Sequence, residues 1–381
     1  MPAPTPVHMP IKSPHNLHAL DYAAHAAAFP HNQSLAGRIV DVHTHIHGKE
    51  ATKIYESAAR LFGVRLTYSQ TRLAEAPTVR EILKDTVRFV AIPNFSLPDK
   101  AHAFGPGYLD TIRAFREEQG ARMIKLWNAP RTREWFTGAD RDDFVQLDGK
   151  WRVAAAELAV SLGMMIKTHT ADPDTWFTAK YTDREKYGVK KEHYRGLEVM
   201  LKRFPVPWIA AHMGGNPEDL NFLSGLLERH PNLYLDTSAT KWVVRELSRH
   251  PREELVAFFT KWQDRIFFGS DIVTMDDQLI KKTPEQQRMS PMSDLSDSPQ
   301  VAFDLYASRY FALRTMFETV GDRESPIADP DLKMVDPAKH HDLSSPTLRG
   351  IGLSESILKK IYYQNVTNVV IGWENGTWKA A

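Results

Sequence analysis

The sequence predicts an α/β chain of the (β/α)8 TIM-barrel class, and three observations carry that expectation. From Arg38 onward, eight short β-branched or apolar runs alternate with longer amphipathic stretches, the rhythm of parallel strands joined by crossover helices. No glycine-rich phosphate loop follows an early run, which argues against a doubly wound open sheet. The 381 residues exceed the roughly 250 of a basic barrel frame. An N-terminal arm over 1–36 and an insertion after the eighth strand over 274–348 take up the surplus.

In chain order, the arm is rich in Pro, His and Ala, and its prolines oppose regular helix, so it should wrap the surface or fray. The expected strands are Arg38–His43, Val64–Tyr68, Val87–Pro93, Arg122–Trp127, Met164–His169, Trp208–Met213, Asn232–Thr237 and Arg265–Asp271. Helical patterns lie between them at Glu50–Phe62, Leu109–Gln119, Trp151–Leu162, Glu192–Phe204, Pro217–His230 and Trp242–Trp262. Gly63, Gly120 and Gly163 stand where helices should stop, and Asn216 before Pro217 reads as a helix start. The insertion is rich in Pro, Ser, Asp and Lys around a helix at Val301–Val320. It suits a cover over the barrel mouth or a contact between protomers of a homo-oligomer. A closing helix, Ser354–Val370, completes the barrel unit spanning 37–381.

Composition excludes several function classes. With no cysteine, disulfides, thiolate nucleophiles, iron–sulfur clusters and thiolate zinc sites are ruled out. The 48 Lys and Arg balance 47 Asp and Glu, which leaves no electrostatic footprint for nucleic acid or an anionic membrane surface. No apolar run reaches the roughly 18 residues that span a bilayer, and the N-terminus lacks an apolar signal region, so a cytoplasmic location is expected.

The chemistry-bearing residues fall at strand ends. His43 and His45 close the first strand in DVHTHIHG, two apart and therefore on one face. His169 ends the fifth strand, His212 the sixth and Asp271 the eighth, with Lys125 near the end of the fourth. In a barrel these ends converge on one mouth, where catalytic groups sit. Each residue alone could be an ordinary hydrogen-bonded loop residue. Together they read as a site for a borderline divalent ion. His47 continues the alternation past His45, but Gly48 follows, and a place outside the ligand set is expected for it.

The order HxH, Lys, His, HxGG and GSD resembles the amidohydrolase superfamily, most nearly its amidohydrolase-related branch, which includes decarboxylases of the aminocarboxymuconate-semialdehyde type. MIKLWN, KTHTADPDTWF, AHMGGNPEDL, HPNLYLDTSA, QDRIFFGSD and KKIYYQNVTNVV each look like segments of that family. The resemblance implies a mononuclear site with His43, His45, His169 and Asp271 as ligands, and His212 beside the reacting water or substrate as a catalytic partner of Asp271. Lys125 corresponds to the lysine that bridges two ions when carbamylated. The alternatives are a second ion at that bridge, or Lys125 as a substrate contact, and the single ion is favoured. Zn is the first choice of metal, with Mn, Fe or Co compatible with the same donors.

The implied activity is hydrolysis of a C–O or C–N bond in a small organic substrate. The alternative is metal-dependent, non-oxidative decarboxylation of an aromatic or muconate-type acid, which would make the protein a lyase. Decarboxylases of the family often carry Gly-Glu after the sixth-strand His and a Pro soon after the final Asp. This chain has HMGG and GSDIVT instead, which leans towards hydrolysis. Candidate substrate contacts are Arg131, Trp135, Trp176 and Lys241, since aromatics beside cations suit a flat acid or a polyol.

Overall fold

The computed structural model describes residues 10–283, 285 and 296–380. The start of the arm with His8, and 284 and 286–295 of the insertion, lie outside the described residues. Eight parallel strands form the barrel: β1 Ile39–His45, β2 Val64–Ser69, β3 Val87–Phe89, β4 Met123–Trp127, β5 Met165–His169, β6 Trp208–Ala210, β7 Leu233–Asp236 and β8 Ile266–Phe267. Each falls within or beside an expected run. A short β9, Ile272–Val273, lies parallel to the end of β1.

Pairing divides the strands into the orders β3-β2-β1-β9 and β4-β5-β6-β7-β8. Backbone hydrogen bonds stitch both seams. Ala91 N–H donates to the Met123 carbonyl (2.9 Å) and Lys125 N–H to that of Ala91 (2.8 Å), joining β3 to β4. Val42 N–H donates to Phe268 (2.9 Å) and Asp271 N–H to His43 (2.8 Å), joining β8 to β1.

The barrel floor is apolar. Val40, Val42, Tyr68, Val90, Met123, Met165, Ile209, Tyr234 and Phe267 fill it, and Val366, Val369 and Val370 from the closing segment plug it from below. That segment starts as the helix Glu355–Lys359 and continues through wider π-type turns, Lys360–Gln364 and Val366–Ile371. The alternate residues of the strands, such as Ile124, Ile166, Trp208 and Leu235, pack outward against the helices. Burying each large side chain of this kind contributes roughly 1.5–3 kcal/mol.

Four local expectations need correction. The stretch Trp242–Trp262 is two helices, Thr240–Leu247 and Arg252–Lys261. Pro251 divides them because it lacks an N–H and disfavours helix at the residue before it. The helix expected from Pro217 begins later, at Leu220–Arg229, with Asp219 rather than Asn216 as its cap; the Asp219 carboxylate accepts the Phe222 N–H at 2.8 Å. A left-handed turn through His212–Gly215 uses up the residues before it. The arm is not a surface tail in its described part. It forms the helix Tyr22–Ala27, capped by Asp21, and buries Tyr22 and Leu35. Tyr22 packs on Phe311 of the long helix Pro299–Glu318, with ring centroids 5.6 Å apart. The insertion contains an unforeseen antiparallel hairpin, β10 Val320–Glu324 with β11 Thr347–Ile351. It also joins the arm: Leu17 N–H donates to Pro326 (2.9 Å) and Ala328 N–H to Pro14 (2.8 Å).

Candidate metal centre

Two lysines form a polar layer directly above the apolar floor. Lys125 and Lys167 are register partners on β4 and β5, and both are buried. Burial pushes Lys125 down to about 7, helped by the like charge of Lys167, and burial pushes Lys167 down to about 8. Lys167 Nζ donates to the Val42 carbonyl and lies 3.9 Å from Asp236 Oδ2.

The histidines stand above that layer. β1 carries an irregularity between Asp41 and Thr44. Before it, Val40 and Val42 face the floor, while Asp41 is bonded by Ser270 Oγ (2.6 Å) and by the Tyr310 hydroxyl (2.9 Å) of the long helix. After it, His43 and His45 enter the mouth together. Strict alternation would have placed Asp41 on their face; the bulge removes it. His212 sits at φ 60° and Asp271 at φ 62°, both in the left-handed region that a side chain ordinarily avoids. Gly215 follows because a Cβ there would overlap the Ala171 carbonyl, and Gly269 lets His43 and Ser238 approach the GSD turn.

The ligand-capable atoms of His43, His212 and Asp271 all lie within 4.8 Å of one another. Asp271 Oδ1 is 3.3 Å from His43 Nε2 and 3.2 Å from His45 Nε2. Lys125 Nζ is 3.3 Å from His43 Nε2. The His169 ring is 4.7 Å from that of His212, but its Nε2 is turned 2.9 Å onto Asp172 Oδ1, and Tyr181 donates to the other Asp172 oxygen at 2.7 Å. All six strand-end residues singled out by sequence thus share the mouth. The tightest three include His212, while His45 adjoins through Asp271 and His169 through His212. His47 stands outside the group, 3.4 Å from Glu75.

A network under the mouth sets the imidazole tautomers. His43 Nδ1 lies 2.8 Å from Asp236 Oδ2, and His212 Nδ1 lies 2.7 Å from Ser238 Oγ. Ser238 in turn donates to Asp236 Oδ1. A carboxylate only accepts, so the protons are fixed on the two Nδ1 atoms and both Nε2 lone pairs are left for a ligand. Burial holds His43 and His212 well below the usual histidine range and lowers His45 as well. Neutral imidazole nitrogens beside a carboxylate are the donor set a borderline divalent cation requires, so the residues present fit such an ion.

The family model described as Amidohydrolase matches residues 48–365. The chain belongs to the amidohydrolase family. The match begins just after His45, so β1 and its contacts alone place the HxH pair. Solved structures similar to this amidohydrolase include an uncharacterised TIM-barrel protein from Bordetella bronchiseptica (12% identity, TM-score 0.46, covering 88% of this chain and 99% of that one). They also include a 2,6-dihydroxybenzoate decarboxylase from Rhizobium (12%, 0.39, 72% and 99%) and an amidohydrolase from Burkholderia multivorans with bound HEPES (14%, 0.39, 72% and 99%). At such identities and scores no substrate is carried over from them. No curated protein sequence matches the chain. No helix among the described residues of this amidohydrolase is long and apolar enough to cross a membrane.

The expected substrate contacts scatter around the mouth. Arg131 is largely exposed and faces Glu134 at 3.4 Å. Trp135 packs on Trp127 at 5.0 Å, and Trp127 reaches the His169 ring at 6.4 Å. Trp176 Nε1 donates to Asp331 of the insertion at 2.6 Å. Lys241 lies in the first turn of the helix that places Trp242 5.8 Å from the His212 ring. Sequence reading missed Lys167 and the supporting roles of Asp236, Ser238 and Asp172. Lys167 was findable, because KTH puts it two residues before His169 on one strand face, and DTS does the same for Asp236 and Ser238.

Proposed function

We propose that this amidohydrolase is a metal-dependent hydrolase of a C–O or C–N bond in a small organic molecule. The observation that supports this most is the grouping of His43, His212 and Asp271 within 4.8 Å at the barrel mouth. These three would hold one divalent ion, Zn as first choice, with His45 and His169 adjoining. A bound divalent ion supplies Lewis acidity and lowers the pKa of water from about 15.7 towards roughly 7.

The chain's own residues do the rest. Asp271 accepts the proton of the attacking water at its carboxylate, which is partly exposed to the mouth. Asp236 and Ser238 hold His43 and His212 by Nδ1, so that neither ring must reorient during reaction. Lys125, when protonated, offers a donor to negative charge developing beside His43. In this reading His212 serves as a ligand and proton transfer falls to Asp271; with His212 outside the ligand set, as the family resemblance implies, the two would share that task. The test is a panel of small esters, lactones and amides assayed with Zn-loaded protein. Turnover of at least one class, lost in Asp271→Asn, supports the reading. Release of CO2 from aromatic or muconate-type acids with no hydrolysis would replace it with decarboxylation.

A further inference from the structure

The loop after β5 turns back on its own strand. In KTHTADPDTWF, Pro173 follows Asp172 and disfavours helical backbone there, so the chain stays open between His169 and the short helix Asp174–Ala179. Asp172 is thereby free to reach back to His169. It is 1% exposed, and both its oxygens are engaged: Oδ1 lies 2.9 Å from His169 Nε2, and Oδ2 accepts the Tyr181 hydroxyl at 2.7 Å. Tyr181 is also buried. Its burial, with the charge of Asp172 beside it, raises the phenol far above the usual range, so the hydroxyl keeps the proton it donates.

A carboxylate only accepts, so the proton of a neutral His169 sits on Nε2 and Nδ1 is left as its lone pair. This is the reverse of His43 and His212, whose protons are held on Nδ1. The His169 ring stands 4.7 Å from that of His212, so the fixed tautomer belongs to a member of the mouth.

The insertion continues this chain of contacts from outside the barrel. Tyr181 N–H donates to the Trp176 carbonyl at 2.8 Å, and the two rings meet edge to face at 6.3 Å. Trp176 Nε1 donates to Asp331 Oδ2 at 2.6 Å. Lys180, whose ammonium lies 3.6 Å from the centre of the Trp176 ring, donates to Asp331 Oδ1 at 3.3 Å. Arg245 fastens the same corner, donating to Thr175 Oγ1 at 2.9 Å and to Asp329 at 2.5 Å. Hydrogen bonds and the backbone of one short helix thus run without a break from Asp331 to the His169 ring.

We infer that Asp172 and Tyr181 are positioning residues for His169, and that Asp331 of the insertion acts on His169 through them. The insertion is then part of the mouth's construction, and its corner sets how firmly one imidazole is held. This role deepens the metal-dependent reading and rests on it only for what His169 does beside a bound ion.

The experiment follows the ring Nε2–H of His169 by 1H–15N spectroscopy of the full chain labelled with [15N]histidine and stripped of metal. His169→Gln identifies the signal by its loss. Wild type should show a proton on Nε2, protected from exchange, and a bare Nδ1. Asp172→Ala should lose the protected proton, and Tyr181→Phe and Asp331→Ala should each exchange it about tenfold faster. The double variant should exchange no faster than Tyr181→Phe alone, because the two changes break one path. Zn affinity, measured by competition with a chelator, should fall about tenfold or more in Asp172→Ala, as for other partners of a ligand shell. A proton on Nδ1 in wild type overturns the inference. So do additive effects of Tyr181→Phe and Asp331→Ala, or unchanged Zn affinity in Asp172→Ala. If Asp172→Ala does not fold, Tyr181→Phe, Asp331→Ala and their double variant decide. The exchange measurements need neither metal nor turnover, so a wild type that takes up no Zn would end the metal-dependent reading and leave their result standing.

Discussion

Asp236 holds His43 from beneath, with its Oδ2 2.8 Å from Nδ1, while its Oδ1 accepts the backbone N–H of His212 at 2.9 Å. One buried carboxylate thus orients two members of the candidate metal centre. Asp236→Asn replaces one of the two acceptor oxygens with a donor, so the two tautomers are no longer both fixed, and metal affinity should fall about 10–100-fold. Competition against a chelator of known affinity measures this; unchanged affinity would show the network to be dispensable.

Asp271→Asn removes the proposed proton acceptor while preserving shape. Turnover should drop by about 10³-fold or more, within the range for loss of a general base, with Tm nearly unchanged. Steady-state assay of the metal-loaded variant checks it, and near-normal rates would contradict the assigned role.

The arm, the long helix and the closing segment meet at a buried ion pair. Arg314 donates through Nε and Nη2 to Glu318 at 2.6 and 3.1 Å, and Tyr362 adds its hydroxyl at 2.9 Å. Arg314 also donates to Asn32 Oδ1 and the Phe62 carbonyl, each at 3.2 Å. Glu318→Ala strands a buried guanidinium and should cost about 3–5 kcal/mol, read by urea unfolding.

Asp304, buried on the same helix, has its carboxyl pushed up by burial from 3.8 to about 7. A raised carboxyl favours the fold in its protonated form. Its contribution is complete below about pH 3.8 and is lost as pH rises through about 7. Asp304→Asn should therefore flatten the decline of Tm across that window and leave the variant the more stable protein at pH 8. Calorimetric scans of both proteins from pH 5 to pH 8 test this, and parallel curves would contradict it.

The barrel and its mouth were legible because both rest on short-range rules. β-branched runs mark strands, and a strand end fixes where His43, His169 and Asp271 must point. Pro251 was equally visible, but the helical periodicity on either side of it masked the break. The bulge that frees His43 from Asp41, and the left-handed turn at His212, depend on contacts with Ser270 and Ala171 that lie far away in sequence. The hairpin Val320–Glu324 with Thr347–Ile351 was hidden for a different reason. Its first strand is exposed throughout and polar after Val320, so it lacks the apolar alternation that announces a strand.

A single-ion centre at the barrel mouth is tested most directly by elemental analysis of the purified protein together with an anomalous diffraction map at the metal edge. One divalent ion per chain is expected, bonded to His43, His212 and Asp271. A second peak at Lys125 would contradict the single-ion site. Protein that takes up no ion at the mouth, even when loaded with Zn, would contradict metal-dependent catalysis altogether.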